Sequence, residues 1–336
     1  MTTTPTLEPP ASAAPGPDDR SIRGTSVRPG DRIFRGLSLS AGLLVLAIMA
    51  GIAIFLIWKA VPALRVNSVN FFTYEKWFPD PSQTGQKPAF GIAALTFGTL
   101  TTAVIAMLLA VPVGYGIALF IAHYAPRRVA APLGYLVDLL AAVPSIIYGL
   151  WGLQFLMPRS VDLMKWLNDH LGFIPIFDNR LGVYTRSIAI ASIVLAIMIL
   201  PTVSAITREV FLQVPRGHIE AAMALGATRW EMVRTAVIPF GKPGMISAAM
   251  LGLGRALGET IAVALVLSAT FTINIHITEP GGNTFAALIA NLWNESGPIG
   301  LGALIAAGLV LFLITLVVNT LARIIIERRR EFSGAN

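Results

Sequence analysis

The 336-residue chain has no cysteine, which excludes disulfides, thiolate metal sites and a cysteine nucleophile. It has only four histidines, and neither HxxxH nor HExxH spacing occurs, so a histidine metal site has little to build on. No GxxxxGK run followed by Ser or Thr is present. The nearest Gly-Lys pair, Gly241-Lys242, runs into Pro243. The loop that cradles nucleotide phosphates is therefore missing. No catalytic constellation and no internal repeat stands out. Charge is scarce as well, at 13% of residues against about 25% in a soluble domain. Together with a mean hydropathy of +0.71, this places the chain among integral membrane proteins.

What the chain does have is apolar runs, each long enough for a span of about 20 residues. They cover 37–58, 92–122, 130–157, 183–206, 244–273 and 299–326. The expected fold class is all-α, a polytopic membrane protein with six transmembrane helices. The first run is too long for the apolar core of a cleavable signal and is expected to act as a signal anchor. Residues 1–30 are rich in Pro, Thr, Ala and Gly without an apolar period, so 1–35 is expected to be a disordered cytoplasmic tail. Residues 36–330 then form the membrane domain, with a cytoplasmic segment at 211–240.

An even number of spans puts both termini on one side, and basic residues choose that side. With the N-terminus in the cytoplasm, 16 Lys and Arg lie inside and eight outside, and Arg255 lies in the membrane. The positive-inside bias favours cytoplasmic termini and explains the net charge of +7 without invoking nucleic acid. The outer loops at 61–90 and 158–182 hold Trp77, Phe78, Pro79 and Pro81, and Trp166, Pro175 and Asp178. Both are expected to include short interfacial helices anchored by aromatics. Pro112 and Pro144 fall within spans two and three and are expected to bend them.

Span five holds a strong base and a strong acid, Arg255 and Glu259. An ionisable residue at bilayer depth costs about 2.5–3.5 kcal/mol on insertion scales, so it marks a functional site by default. Spacing i, i+4 in one helix puts both side chains on one face. Two readings are open: a transport site, or a self-neutralising structural ion pair. Gly254 and Gly258 form a small-xxx-small pair expected to permit close helix approach. Ser268, Thr270 and Thr272 supply further hydroxyls near the outer end, either toward a ligand or to their own helix backbone.

Between spans four and five, 211–244 reads as two short helices. The first covers 216–225 and ends at Gly226, a natural C′ residue. The second starts with Thr228 as N-cap and Glu231 at N3, a capping box, and Pro239 and Pro243 are expected to stop it. Ala221, Ala222 and Leu225 could seat this pair in a partner's groove; a membrane-surface helix pair without a partner is the other reading.

Glu220-Ala221-Ala222, three residues and Gly226 resemble the EAA loop of permease subunits in bacterial ABC importers. That motif continues with Ile-x-Leu-Pro, and this chain has Ala236-Val237-Ile238-Pro239, which keeps the proline and changes two apolar residues. The segment from Ala142 to Gly152, AVPSIIYGLWG, resembles the third-span motif of phosphate-importer permeases. Gly254-Arg255-Ala256-Leu257-Gly258-Glu259-Thr260 resembles their GRAxGET motif, and the following Ile261-Ala262-Val263 fits the PstC branch, where PstA-type chains continue Ala-Pro-Leu. The resemblance covers about 36–330.

The resemblance implies a type I ABC importer permease fold and a non-enzymatic translocation subunit for inorganic phosphate in the bacterial plasma membrane. It implies that Arg255 and Glu259 serve translocation and that Glu220, Ala221, Ala222 and Gly226 couple to an ATPase. It implies a PstA-like second permease, a PstB-like ATP-binding dimer that carries ATP and Mg, and a PstS-like extracytoplasmic phosphate-binding protein. Arginine suits phosphate because its planar fork pairs two oxygens and stays charged. Alternatives are a permease for sulfate or molybdate, a passive anion channel or secondary antiporter, and a membrane scaffold or enzyme subunit. An ATPase dock argues against a passive pore, the missing nucleophile and metal ligands argue against an enzyme, and Arg255 with Glu259 argues against a scaffold.

Overall fold

A computed structural model describes residues 29–80 and 87–330. Of the tail expected to be disordered over 1–35, residues 1–28 lie outside the described residues, as does Pro81, and 29–35 are helical, forming the start of the first helix. The chain divides into two compact units, Met1–Ile52 and Ala53–Asn336. Helix α1, Pro29–Val66, begins in the first unit, where residues 30–52 are exposed throughout, as a lipid-facing helix requires.

In the second unit the end of α1 packs on helix α12 (Pro298–Arg330), where a Cβ at Gly302 would stand 2.8 Å from Ala63, and Ala60 and Ala63 are buried. Strands β1 (Trp77–Phe78) and β2 (Ala89–Phe90) then pair antiparallel. The first outer loop thus holds a hairpin where a helix was expected. Trp77 is 5% exposed and packs on Phe90, so it belongs to the core and is no interface anchor. Asn67 closes the loop onto β2 in both directions: its Nδ2 donates to Phe90 O at 2.8 Å and its Oδ1 accepts the Phe90 N–H at 3.1 Å.

Helix α2, Ala93–Leu119, presents Thr99, Ala103, Ala106, Ala110, Gly114 and Ala118 as one buried stripe at helical spacing. These small residues let it lie close along the later helix α6, the most extensive helix contact of the fold. A π-turn at Phe120–Tyr124 ends it. Pro112 remains inside α2.

The third span is broken. Helix α3, Arg127–Ala141, and helix α4, Ser145–Trp151, meet at a bend of 90°. Pro144 has φ −57° and ψ 137° and so starts α4; it does not sit inside a helix. A π-turn leads from α4 into α5, Met157–Leu171. Trp166 lies on α5, so the second outer loop does begin as a helix.

Helix α6, Ile188–Leu212, is capped by Ser187 and is the most buried of the spans. Helices α7 (Arg216–Ala224) and α8 (Arg229–Met232) follow, then α9 (Ile238–Gly258) and α10 (Ile261–Val266). An irregular outer segment precedes α11 (Phe285–Leu292) and α12 (Pro298–Arg330). Among the described residues, five helices are long and apolar enough to cross a membrane, six if the bent pair counts as one span. The all-α polytopic expectation holds, with one small hairpin added.

One core packs α2, α6, α9 and α10 around Val194, Met198, Ile199, Leu257 and Val266. A second, around Phe90, Phe285 and Leu304, seats the outer loop and α11 on α12. A third, around Phe211, Val233 and Val237, seats α7 and α8 on the C-terminal ends of α2 and α6.

Candidate functional site

Span five departs from a single helix at the point where its charges lie. Helix α9 stops at Gly258; Glu259 is extended, with φ −66° and ψ 128°. The Glu259 carboxylate turns to the next helix, where its Oε1 accepts the Ala262 N–H at 3.1 Å. It caps the first turn of α10, whose leading N–H groups have no helical partner. Spacing i, i+4 therefore does not put Arg255 and Glu259 on one face, because the helix ends between them. Among the described residues the ion pairs are Arg180–Asp178 and Arg208 with Asp138 and Glu209, so the expected Arg255–Glu259 pair does not form.

Arg255 instead donates from Nη1 to Thr202 Oγ1 at 2.9 Å, tying α9 to α6 beside Pro201. The bond uses one donor of the guanidinium and leaves the rest of its fork for other acceptors. Arg255, Thr202, Ser247, Asn319 and Arg323 line an open cleft of about 670 Å³ between α6, α9 and α12.

A methyl group at Gly254 or Gly258 would meet no atom within 4 Å. The expected close approach at these two glycines does not occur in this chain, and Gly254 lines the cleft. Close approach of α9 to α6 falls to Gly244 and Gly252, where a Cβ would stand 2.5 Å from Val210 and 2.8 Å from Val203. In the third-span motif Gly149 and Gly152 do the same for α4, against Ala262 of α10 and Val194 of α6. Tyr148 Oη donates to Leu140 O at 2.8 Å across the bend and satisfies a carbonyl that the broken helix frees.

Toward the outer end the hydroxyls make no helical bonds of their own. Thr270 Oγ1 accepts the Gly282 N–H at 2.7 Å in an irregular segment. Glu279, 7% exposed, accepts the Arg180 N–H and the amide of Asn274. The hydropathy pattern passes over this buried carboxylate because its partners lie on distant or irregular stretches. Asp80, half-buried, escapes it too: its two oxygens accept the N–H groups of Gly297 and Gly300 at 3.0 Å each and cap α12 from the loop that follows α1.

Between α6 and α9, helix α7 closes as the sequence requires. Gly226 has φ +82°, and the Gly226 and Ala227 N–H groups bond back to Met223 and Ala222, a full Schellman pattern. The capping box of Thr228 and Glu231 is formed. The prolines, however, do not stop α8. A π-turn at Val233–Val237 brings Pro239 to the first turn of α9, where its missing N–H costs nothing, and Pro243 continues inside the helix. The expected second short helix is the start of span five, which runs from Arg229 to Gly258.

Glu220 and Ala221 are exposed, Ala222 turns inward to the third core, and Leu225 is 90% exposed at the tip beside Met223. A solvent-facing leucine on a fully capped turn forms a rigid apolar knob. Arg208 of α6 bonds Asp138 of α3 at 3.3 Å and its neighbour Glu209 at 2.7 Å. Gly134 leaves the room, since a Cβ there would stand 2.6 Å from Arg208 Nη1.

Residues 111–331 match the family model described as the inner membrane component of binding-protein-dependent transport systems. The phosphate transport system permease protein PstC 2 of Mycobacterium tuberculosis is 47% identical over 301 residues, 89% of this chain and 92% of that protein. PstC of Mycobacterium leprae is 46% identical over 92% of this chain and 97% of its own length, and PstC of Xylella fastidiosa is 40% identical over 98% and 99%. Among solved structures, a chain of a bacterial ABC transporter involved in import of the acidic polysaccharide alginate aligns at TM-score 0.52 and 17% identity, over 88% of this chain and 98% of that one. That likeness carries the ABC importer permease fold alone. Taken with the EAA turn and the GRAxGET segment, these matches show that the chain belongs to the binding-protein-dependent transport permeases, as a phosphate ABC importer permease subunit of the PstC kind.

Proposed function

We propose that Arg255 is the residue that holds phosphate as it crosses this subunit. One observation carries the reading: a guanidinium steered by Thr202 faces an open cleft of about 670 Å³ inside a membrane span. Phosphate at neutral pH is an anion, and hydrocarbon depth offers it no other solvation. Arginine supplies charge and a two-pronged donor without deprotonating. A single cation with a neutral neighbour binds less tightly than a caged site, which suits a transport step that must release its cargo.

Glu259 acts on this site through the backbone. By capping α10 it fixes where α9 ends and so where Arg255 stands. It supports translocation as a positioning residue.

The exposed tip of α7 is the docking surface for an ATP-hydrolysing partner. Glu220, Ala221 and Leu225 supply the contact, with Ala222 and Gly226 holding the turn. ATP and Mg belong to that partner, a PstB-like dimer. A PstA-like second permease completes the pathway, and a PstS-like protein delivers phosphate at the outer face. Support comes from the fixed, solvent-facing apolar tip and from the family's description as binding-protein-dependent. The subunit sits in the bacterial plasma membrane with both termini in the cytoplasm, as the 16 to eight division of basic residues favours. The test is phosphate uptake by vesicles holding the purified complex, with sulfate as competitor. ATP-dependent phosphate uptake that Arg255→Lys abolishes supports the reading.

A further inference from the structure

The cleft at Arg255 contains a second guanidinium, that of Arg323. Arg255 lies in the last turn of α9, while Arg323 lies just before the end of the apolar stretch Pro298–Ile324 of α12. Successive spans cross in opposite directions. With cytoplasmic termini, Arg255 is set toward the outer end of its span and Arg323 at the inner end of its own. Both nevertheless line one cavity of about 670 Å³. Ser247 lies about two turns, or ~12 Å, below Arg255 on α9. Asn319 lies one turn from Arg323 on α12, so both side chains share a face. Among the described residues that line the cleft, none is acidic, and Thr202, Ser247 and Asn319 add neutral donors.

We propose that Arg323, with Asn319 and Ser247, forms an inner anion station that takes phosphate from Arg255 and passes it to the cytoplasm. The proposal rests on the reading of Arg255 given above. An anion leaving Arg255 inward must travel along walls of low dielectric, where Met250 and Leu251 offer it nothing. A second cation in the same cleft draws it on. A cleft lined by one sign of charge raises local counter-ion encounter by about ten- to a thousandfold. Arg323 is exposed, so its hold is weakened by solvent and release follows. A basic residue that merely anchors the end of a span has no need of a shared cleft with a half-buried arginine.

The chain's lack of cysteine makes a direct test available. Asn319→Cys is placed in the otherwise cysteine-free chain, the full importer is assembled in vesicles, and this chain is labelled from the cytoplasmic face. Two methanethiosulfonates of similar size are compared, one anionic and one cationic. The proposal expects the anionic reagent to be favoured, that preference to fall about tenfold when Arg323→Gln is added, and inorganic phosphate to slow labelling only while Arg323 is present. An unreactive thiol, a preference indifferent to Arg323→Gln, or labelling that phosphate does not slow overturns it. Failure of the underlying reading shows separately: Arg255→Lys importing phosphate at the parent rate refutes the hand-off from Arg255, and the labelling result still decides the inner station.

Discussion

Arg255 reaches across from α9 to α6 and donates to Thr202 Oγ1 at 2.9 Å, a bond between two spans inside the membrane domain. The acceptor is neutral, so the guanidinium keeps its full charge for a ligand while its direction is set. Thr202→Val removes the acceptor and keeps the shape. We expect this variant to assemble normally and to import phosphate roughly ten- to a hundredfold more slowly, since a hydrogen bond to a charged group contributes about 1.5–3 kcal/mol. Uptake at fixed amounts of assembled complex checks it. Uptake equal to the parent's shows that Arg255 needs no such steering.

Glu259 is expected to matter for shape more than for charge. Glu259→Gln keeps an oxygen able to accept the Ala262 N–H, so uptake should fall by a small factor only. Glu259→Ala leaves that N–H, in a segment where Ala262 is fully buried, without its acceptor. It should destabilise the chain by about 1–3 kcal/mol. Thermal unfolding in detergent, read beside uptake, separates the two variants. A paired carboxylate would make Glu259→Gln the costly change.

At the coupling tip the two candidate effects separate by residue. Leu225→Glu changes an exposed side chain and should leave stability within about 0.5 kcal/mol while cutting ATPase co-purification. Gly226→Val forces a β-branched residue to φ +82° and should cost about 1–3 kcal/mol as well. Gly226→Asn should be milder, because asparagine tolerates that region. Normal ATPase binding by Leu225→Glu would count against docking at this face.

Orientation is open to a labelling test at exposed positions. Leu225→Cys should react with impermeant reagent only from the cytoplasmic side, and Leu181→Cys, at a position 62% exposed in the outer loop, only from outside. The reverse pattern overturns the assigned topology. Asn283, which hydropathy alone would place in an outer loop, is 2% exposed and unsuited to labelling.

Much of this architecture was legible in the sequence, for reasons that differ by element. The spans appear as apolar runs because lipid demands them. The α7 turn appears because Gly226, Thr228 and Glu231 are local signals, each satisfying a nearby backbone group. Hydropathy averages over a window and does not register a break, so the bend before Pro144 and the end of α9 at Gly258 were hidden in apolar runs. The signals were there in small: Pro144 disfavours a helical residue before it, and Gly258-Glu259-Thr260 places a glycine beside two residues able to cap. Pro239 misled because a π-turn shifts it into a first helical turn. The Thr202–Arg255 and Asp80–Gly300 bonds join residues far apart in sequence, and no local pattern announces them.

Phosphate uptake by Arg255→Lys tests the central claim most directly. Lysine keeps the positive charge and loses the fork, so the chain should insert, assemble and bind its ATPase as before. The account predicts that ATP-driven uptake into vesicles falls by roughly ten- to a hundredfold, the equivalent of losing one charge-assisted bond of about 1.5–3 kcal/mol. Uptake by the assembled Arg255→Lys complex at the parent rate would contradict it.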